Sequence, residues 1–175
     1  MKRAIEFGTT SDPLTPADIE DVHRTLLRFT EDADIAGVVR EAQNWIGGND
    51  YNPIGATYVP PPHERVRPLL EDLCAFVNRT DLAAIVQAAI AHAQFETIRP
   101  FADGDGRVGR ALIYMILRRR GETANYIPAD QPHPRGGAKG VRRRARRLSR
   151  RRRKRVAGSV RRRDRTSGRG SRTAR

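Results

Sequence analysis

Ile98-Arg99-Pro100-Phe101-Ala102-Asp103-Gly104-Asp105-Gly106-Arg107-Val108-Gly109-Arg110 gathers a proline, three glycines, two aspartates and three arginines into thirteen residues. The rest of the chain is best read outward from it. Pro100 and the glycines make 98–106 a loop, and helical spacing resumes with Val108, Ala111, Leu112, Met115 and Ile116. Glycines let successive backbone N–H groups converge on an anion, and a following helix presents its N-terminus to the same point. Arg107 and Arg110 are three residues apart, hence on one helix face, and guanidinium grips phosphate oxygens in pairs. Asp103 offers an oxygen suited to Mg²⁺ carried by a nucleotide. On spacing alone, a polyphosphate site and an ordinary glycine loop with a solvated basic helix face fit equally well. A Walker A loop is excluded because no lysine follows the last glycine, and a calcium loop because Arg107 stands at a ligand position.

On the N-terminal side, Thr15-Pro16-Ala17-Asp18 reads as a helix start, followed by Ile19, Val22, Leu26 and Phe29 at helical spacing. His23, beside this stripe, is expected at a surface or boundary and not as a ligand. Trp45-Ile46, then Gly47-Gly48-Asn49-Asp50, then Ala56 to Val59 predict two short extended pieces around a turn, ended by Pro60-Pro61-Pro62. A second helix is expected over Glu64 to Asn78, with Val66, Leu69, Leu70, Leu73 and Val77 on one side. A third is expected over Asp81 to Glu96, its apolar set being Leu82, Ile85, Val86, Ala89, Ile90 and Ala93. His92 is expected to be packed or hydrogen-bonded there. The last helix should end at Arg118-Arg119-Arg120-Gly121, basic residues and a glycine suiting a C-terminus. The body is therefore all-α, mainly helical, with one small hairpin.

Arg99-Pro100-Phe101-Ala102-Asp103-Gly104-Asp105-Gly106-Arg107-Val108-Gly109-Arg110 resembles the Fic (Fido) signature His-Pro-Phe-x-(Asp/Glu)-Gly-Asn-Gly-Arg-x-x-Arg in order and spacing, without a gap. Gln94 to Ile98 is similar to the usual run-up, and Gln43 to Gly48 with Tyr58 to Pro62 is similar to the family's flap region. The resemblance covers roughly Pro13 to Pro128. It implies a compact helical Fido fold with a β-hairpin flap. It also implies a protein adenylyltransferase activity, in which AMP passes from ATP to a Ser, Thr or Tyr hydroxyl of a target protein. By position, Asp103 would hold Mg²⁺, the backbone of Gly104, Asp105 and Gly106 would form the anion hole, and Arg107 and Arg110 would hold the distal phosphates. The hairpin near 49–58 would align a segment of the target protein as an added strand.

Two positions depart from that signature. The histidine that acts as base is Arg99, whose guanidinium stays protonated and has no acceptor lone pair. The asparagine is Asp105, which as a carboxylate repels phosphate unless Mg²⁺ or Arg99 compensates. The expectation is an inactive or impaired transferase. The alternatives are an active variant using another phosphate-containing donor and a nucleic-acid binder. No (Ser/Thr)-x-x-x-Glu-(Gly/Asn) inhibitory string occurs, so that element is expected in a separate antitoxin-like partner or upstream of a shortened start.

Charge divides the chain. Residues 121–175 hold 20 of its 34 Lys+Arg and three of its 20 acids, leaving 14 basic and 17 acidic residues in 1–120. Nucleic-acid binding, if any, belongs to the tail and would be non-specific, since no aromatics interleave the arginines. Residues 1–128 are read as the Fic-like domain and 129–175 as a disordered, arginine-rich tail that cannot bury enough apolar surface to fold alone. The codons for Asp130 to Arg135, read one base forward, permit Ile-Ser-Leu-Ile-Leu-Ala, a continuation similar to that of Fic relatives, so the tail is read as the product of a frame change near Ala129. Cys74, alone in an apolar run, is expected to be a small buried hydrophobe. No stretch approaches a membrane span and no signal region opens the chain, so a cytoplasmic location is expected.

Overall fold

The computed structural model describes residues 13–49 and 51–122. The frame-change, disorder and nucleic-acid expectations for 129–175 lie outside those residues, as do Met1 to Asp12. Four α-helices carry the described body: α1 Pro16–Leu27, α2 Val66–Val77, α3 Ala84–Ile98 and α4 Asp105–Arg119. Single 3₁₀ turns at Ala33–Ile35 and His63–Arg65 sit in the long connection and at the entry to α2. No helix among the described residues is long and apolar enough to cross a membrane.

α1 begins where the sequence places it. Thr15 is the N-cap, Pro16 opens the first turn, and the Asp18 carboxylate reaches back to accept the Thr15 N–H at 2.8 Å. Its buried face is Ile19, Val22, His23 and Leu27, one residue out of phase with the expected stripe at its end. Phe29 falls beyond the last turn and is 88 % exposed, with the Arg28 guanidinium over its ring. Asn78, at the end of α2, exchanges two hydrogen bonds with the backbone of Leu14 (2.8 and 2.9 Å), which ties the start of α1 to the end of α2.

The central helix, α3, packs against both α2 and α4. It runs from Ala84 to Ile98, not from Asp81 to Glu96, and its buried residues are Ala84, Gln87, Ala88, Ala91, Phe95 and Ile98. The expected set of larger side chains faces outward, with Ile85 65 % exposed and Val86 and Ile90 also exposed. The helix is apolar nearly all round, so periodicity alone does not choose its inner face. Backbone approach chooses it: the alanines admit neighbouring helices closely, and Gln87 supplies what they need. The core formed with α2 and α4 includes Leu70, Leu73, Phe95, Phe101, Leu112 and Met115, each essentially inaccessible to water. Fully burying such a side chain is worth about 1.5–3 kcal/mol. Cys74 is buried as expected, and desolvation pushes its thiol up to about 12.

The expected hairpin is reduced to one antiparallel bridge, Ile46 with Tyr58, and no longer strand forms among the described residues. The reason lies in the turn. The Asn49 side-chain oxygen accepts the N–H groups of Tyr51 and Asn52, and that of Asn52 accepts from Ile54. These local bonds take donors that a β ladder would need, and Pro53 has none to give.

Gln87 is fully buried and donates through Nε2 to the carbonyls of Phe76, Val77 and Arg79 at 2.8–3.1 Å, which serves the C-terminal end of α2. Its Oε1 accepts from Arg120 at 3.0 Å. Gln87→Leu keeps the volume and removes every one of these bonds. It should cost about 2 kcal/mol, read as a lower urea midpoint at unchanged slope. A loss below about 0.5 kcal/mol would mean that water serves those carbonyls equally well.

Candidate active site

The loop between α3 and α4 is held from three sides. α3 ends at Ile98, and Arg99 takes the left-handed conformation (φ 45, ψ 67) with its N–H on the Phe95 carbonyl. Pro100 explains the break, because a residue before proline is driven out of the α region. A non-glycine residue in this conformation costs about 1 kcal/mol and persists only when its surroundings hold it. Arg40 does the holding. Its buried guanidinium donates to the carbonyls of Arg99 (Nε, 2.8 Å), Ile98 (3.3 Å), Pro61 (2.6 Å) and Ala42 (3.2 Å). The Arg40 N–H also reaches the Pro100 carbonyl at 2.9 Å, beside a bridge between Val39 and Phe101. Asn44 Nδ2 donates to the Phe101 carbonyl, and Tyr58 OH to that of Thr97. The segment leading to the Ile46–Tyr58 bridge is thus fastened to the start of the motif.

His23 grips the loop from α1. Contrary to the expectation of a boundary position, it is fully buried. The Gly37 N–H donates to its Nδ1 at 2.8 Å, so the ring proton sits on Nε2, which donates to the Asp103 carbonyl at 2.9 Å. The ring also stacks flat on Phe101, centroids 3.8 Å apart. Gly104 follows with φ 86, and a Cβ there would come within 2.9 Å of His23 Nε2. The ring and the missing side chain fit each other. Burial pushes the imidazole down to about 4, with the Asp103 bond opposing, Arg107 adding to the fall and Asp32 resisting it.

Asp105 closes the loop from inside. Its Oδ1 accepts the Phe101 N–H at 3.0 Å across the turn. The carboxylate is 1 % exposed, and its Oδ2 has no hydrogen-bond partner but lies 3.6 Å from Arg99 Nη2. Desolvation raises its pKa to about 7, against the pull of Arg99, the Phe101 N–H and Arg40. Arg99 and Asp105, the two positions that depart from the signature, are therefore within ion-pair reach of each other. Its Nη1 is 3.4 Å from Glu96, one turn back on α3.

Arg107 Nη2 lies 3.6 Å from the Asp103 carboxylate, and Arg110 follows one turn on, half-buried. The first N–H groups of α4, on Asp105 and Gly106, have no acceptor within the helix. α3 and α4 cross closely at Gly109, where a Cβ would meet Glu96 Oε1 at 2.7 Å and the His92 ring at 2.9 Å. His92 is packed here, as expected. The structure pairs Arg99 with Asp105 and Arg107 with Asp103, and carries Arg107 and Arg110 on one face of α4. Sequence reading gave no role to Arg40 and His23, which carry no motif, or to Glu96 in the run-up; only a buried-face phase for α1 would have pointed to His23.

Mg²⁺ carried by a nucleotide needs only one or two protein carboxylates beside phosphate oxygens; here the Asp103 carboxylate that would serve lies 3.6 Å from Arg107 Nη2, and Asp105 faces Arg99.

His23 and Asp105 link stability to pH with opposite signs. The folded state resists protonating His23, so its contribution is complete above about 6.5, the unfolded value, and is lost as pH falls toward about 4. Asp105 takes up its proton more readily folded than unfolded, so stability is gained as pH falls through about 7. The two offset each other in the parent. Between pH 7.5 and 5, His23→Gln should gain about 2 kcal/mol relative to the parent, while Asp105→Asn should lose stability. Urea titrations at both pH values check this, and parallel pH dependence in parent and His23→Gln would contradict it.

Comparison with known proteins agrees with this geometry. The Fic/DOC family model matches residues 13–117. Protein adenylyltransferase fic-1 of Caenorhabditis elegans is 29% identical over 122 residues, 68% of this chain and 22% of that protein. Protein adenylyltransferase Fic of Drosophila grimshawi is 30% identical over 121 residues, 67% of this chain and 23% of that protein. The chain thus spans less than a quarter of these curated relatives. A crystal structure of a Fic family protein from Desulfovibrio desulfuricans G20 superposes with a TM-score of 0.56 at 30% identity, covering 68% of this chain and 35% of the other. With the loop, its two flanking helices and the family match in agreement, the chain belongs to the Fic/DOC family.

Proposed function

We propose that this domain grips the phosphate chain of a nucleotide such as ATP at the N-terminus of α4, and that it transfers adenylyl groups poorly or not at all. One observation carries the reading: the position from which a base would act is filled by the Arg99 guanidinium, lying between Glu96 and Asp105. A guanidinium cannot accept the proton of an attacking hydroxyl. Losing a general base lowers rate by about 10²–10⁴. The binding half of the reading rests on the α4 N-terminus with Arg107 and Arg110 on its first turns.

The segment between Ile46 and Tyr58, fastened at its base, would align a target protein, and inhibition would come from a separate antitoxin-like partner. The setting is the cytoplasm. A second activity, weak retention of nucleic acid, is favoured by the concentration of 20 Lys+Arg in residues 121–175. Deleting 129–175 should abolish that retention across a salt series, and retention by the acidic remainder would contradict it.

Labelled ATP tests the main reading. The parent should label neither itself nor lysate proteins, whereas Arg99→His with Asp105→Asn should label a target. A parent that labels as strongly as the double variant would overturn impairment.

A further inference from the structure

We infer that this site, if it holds a phosphate chain as proposed above, does so with guanidinium groups alone, Arg99 supplying the charge that the signature leaves to a divalent cation. Three acidic groups line the loop, Glu96, Asp103 and Asp105, and guanidinium groups already stand at each of them. Arg99 Nη1 lies 3.4 Å from Glu96, Arg99 Nη2 3.6 Å from Asp105 and Arg107 Nη2 3.6 Å from Asp103. A cation at Asp103 would meet the Arg107 guanidinium already beside that carboxylate.

These contacts are also loose. At 3.4–3.6 Å they exceed the 2.7–2.9 Å of a strong charge-assisted bond. The buried Oδ2 of Asp105 makes no hydrogen bond at all. Its charge steers Arg99 over the loop without consuming the planar fork of N–H donors. The Arg99 side chain is 25% exposed, enough for phosphate oxygens to meet that fork from outside. Arg40, buried and bonded to carbonyls, adds a second positive charge that attracts Asp105. The two departures from the signature therefore complete each other. Glu96 and Asp105 hold the guanidinium from two sides, and a buried carboxylate without it would repel phosphate.

Calorimetric titration of the full chain with ATP, once in EDTA and once in excess Mg²⁺, tests this at physiological salt. The same titration of Arg107→Ala with Arg110→Ala gives the heat owed to the arginine-rich tail, which is subtracted. Affinity should agree within about threefold with and without the metal. Arg99→Ala should weaken binding in EDTA by about tenfold or more and make it dependent on Mg²⁺. Arg99→Lys should fall between, keeping charge without the fork, and circular dichroism of each variant guards against unfolding. Binding by the parent that EDTA abolishes would overturn the inference and leave the proposed function standing. Site-specific binding absent under both conditions would overturn that function and the inference with it.

Discussion

Everything at this site hangs on a loop that must turn twice through left-handed backbone, at Arg99 and at Gly104, between two helices packed too closely to drift. The loop cannot satisfy itself. Its carbonyls are collected by Arg40 from one side and by the His23 ring from the other, and Asp105 closes it within. Each grip depends on a charge or tautomer state: a guanidinium that stays charged, an imidazole that stays neutral, a carboxylate balanced by arginine. The shape of the loop is thus set by groups drawn from separate parts of the chain.

Arg99 and Asp105 read differently once their contact is known. Taken singly, each position is a loss, of a base and of an amide. Taken together they form a buried half-pair, with the carboxylate at the α4 N-terminus, where helix geometry favours negative charge, and the guanidinium above it.

Much of this was legible in the sequence. The glycine loop, the arginines on one helix face and the start of α1 follow from local chemistry, and the structure keeps them. α3 was misread because its composition is apolar on every side, and the choice of inner face was made by how near its neighbours come, which a single sequence does not encode. The hairpin was shortened by side-chain amides competing for backbone donors. His23 and Arg40 were hidden for a common reason: both act through backbone carbonyls distant in sequence, and carbonyls leave no trace in residue identity.

The His23–Phe101 stack bears on motion as well as position. A loop whose amide, carbonyl and aromatic ring are each held by a different element has little conformational freedom left to surrender. A ligand arriving there meets a receptor already in shape, and the entropy usually lost on ordering a glycine-rich segment has been spent at folding. Substitutions in the α1 face behind His23 would then surface as slower or weaker capture far from where they were made, with the loop recovering the very flexibility its glycines would otherwise give it.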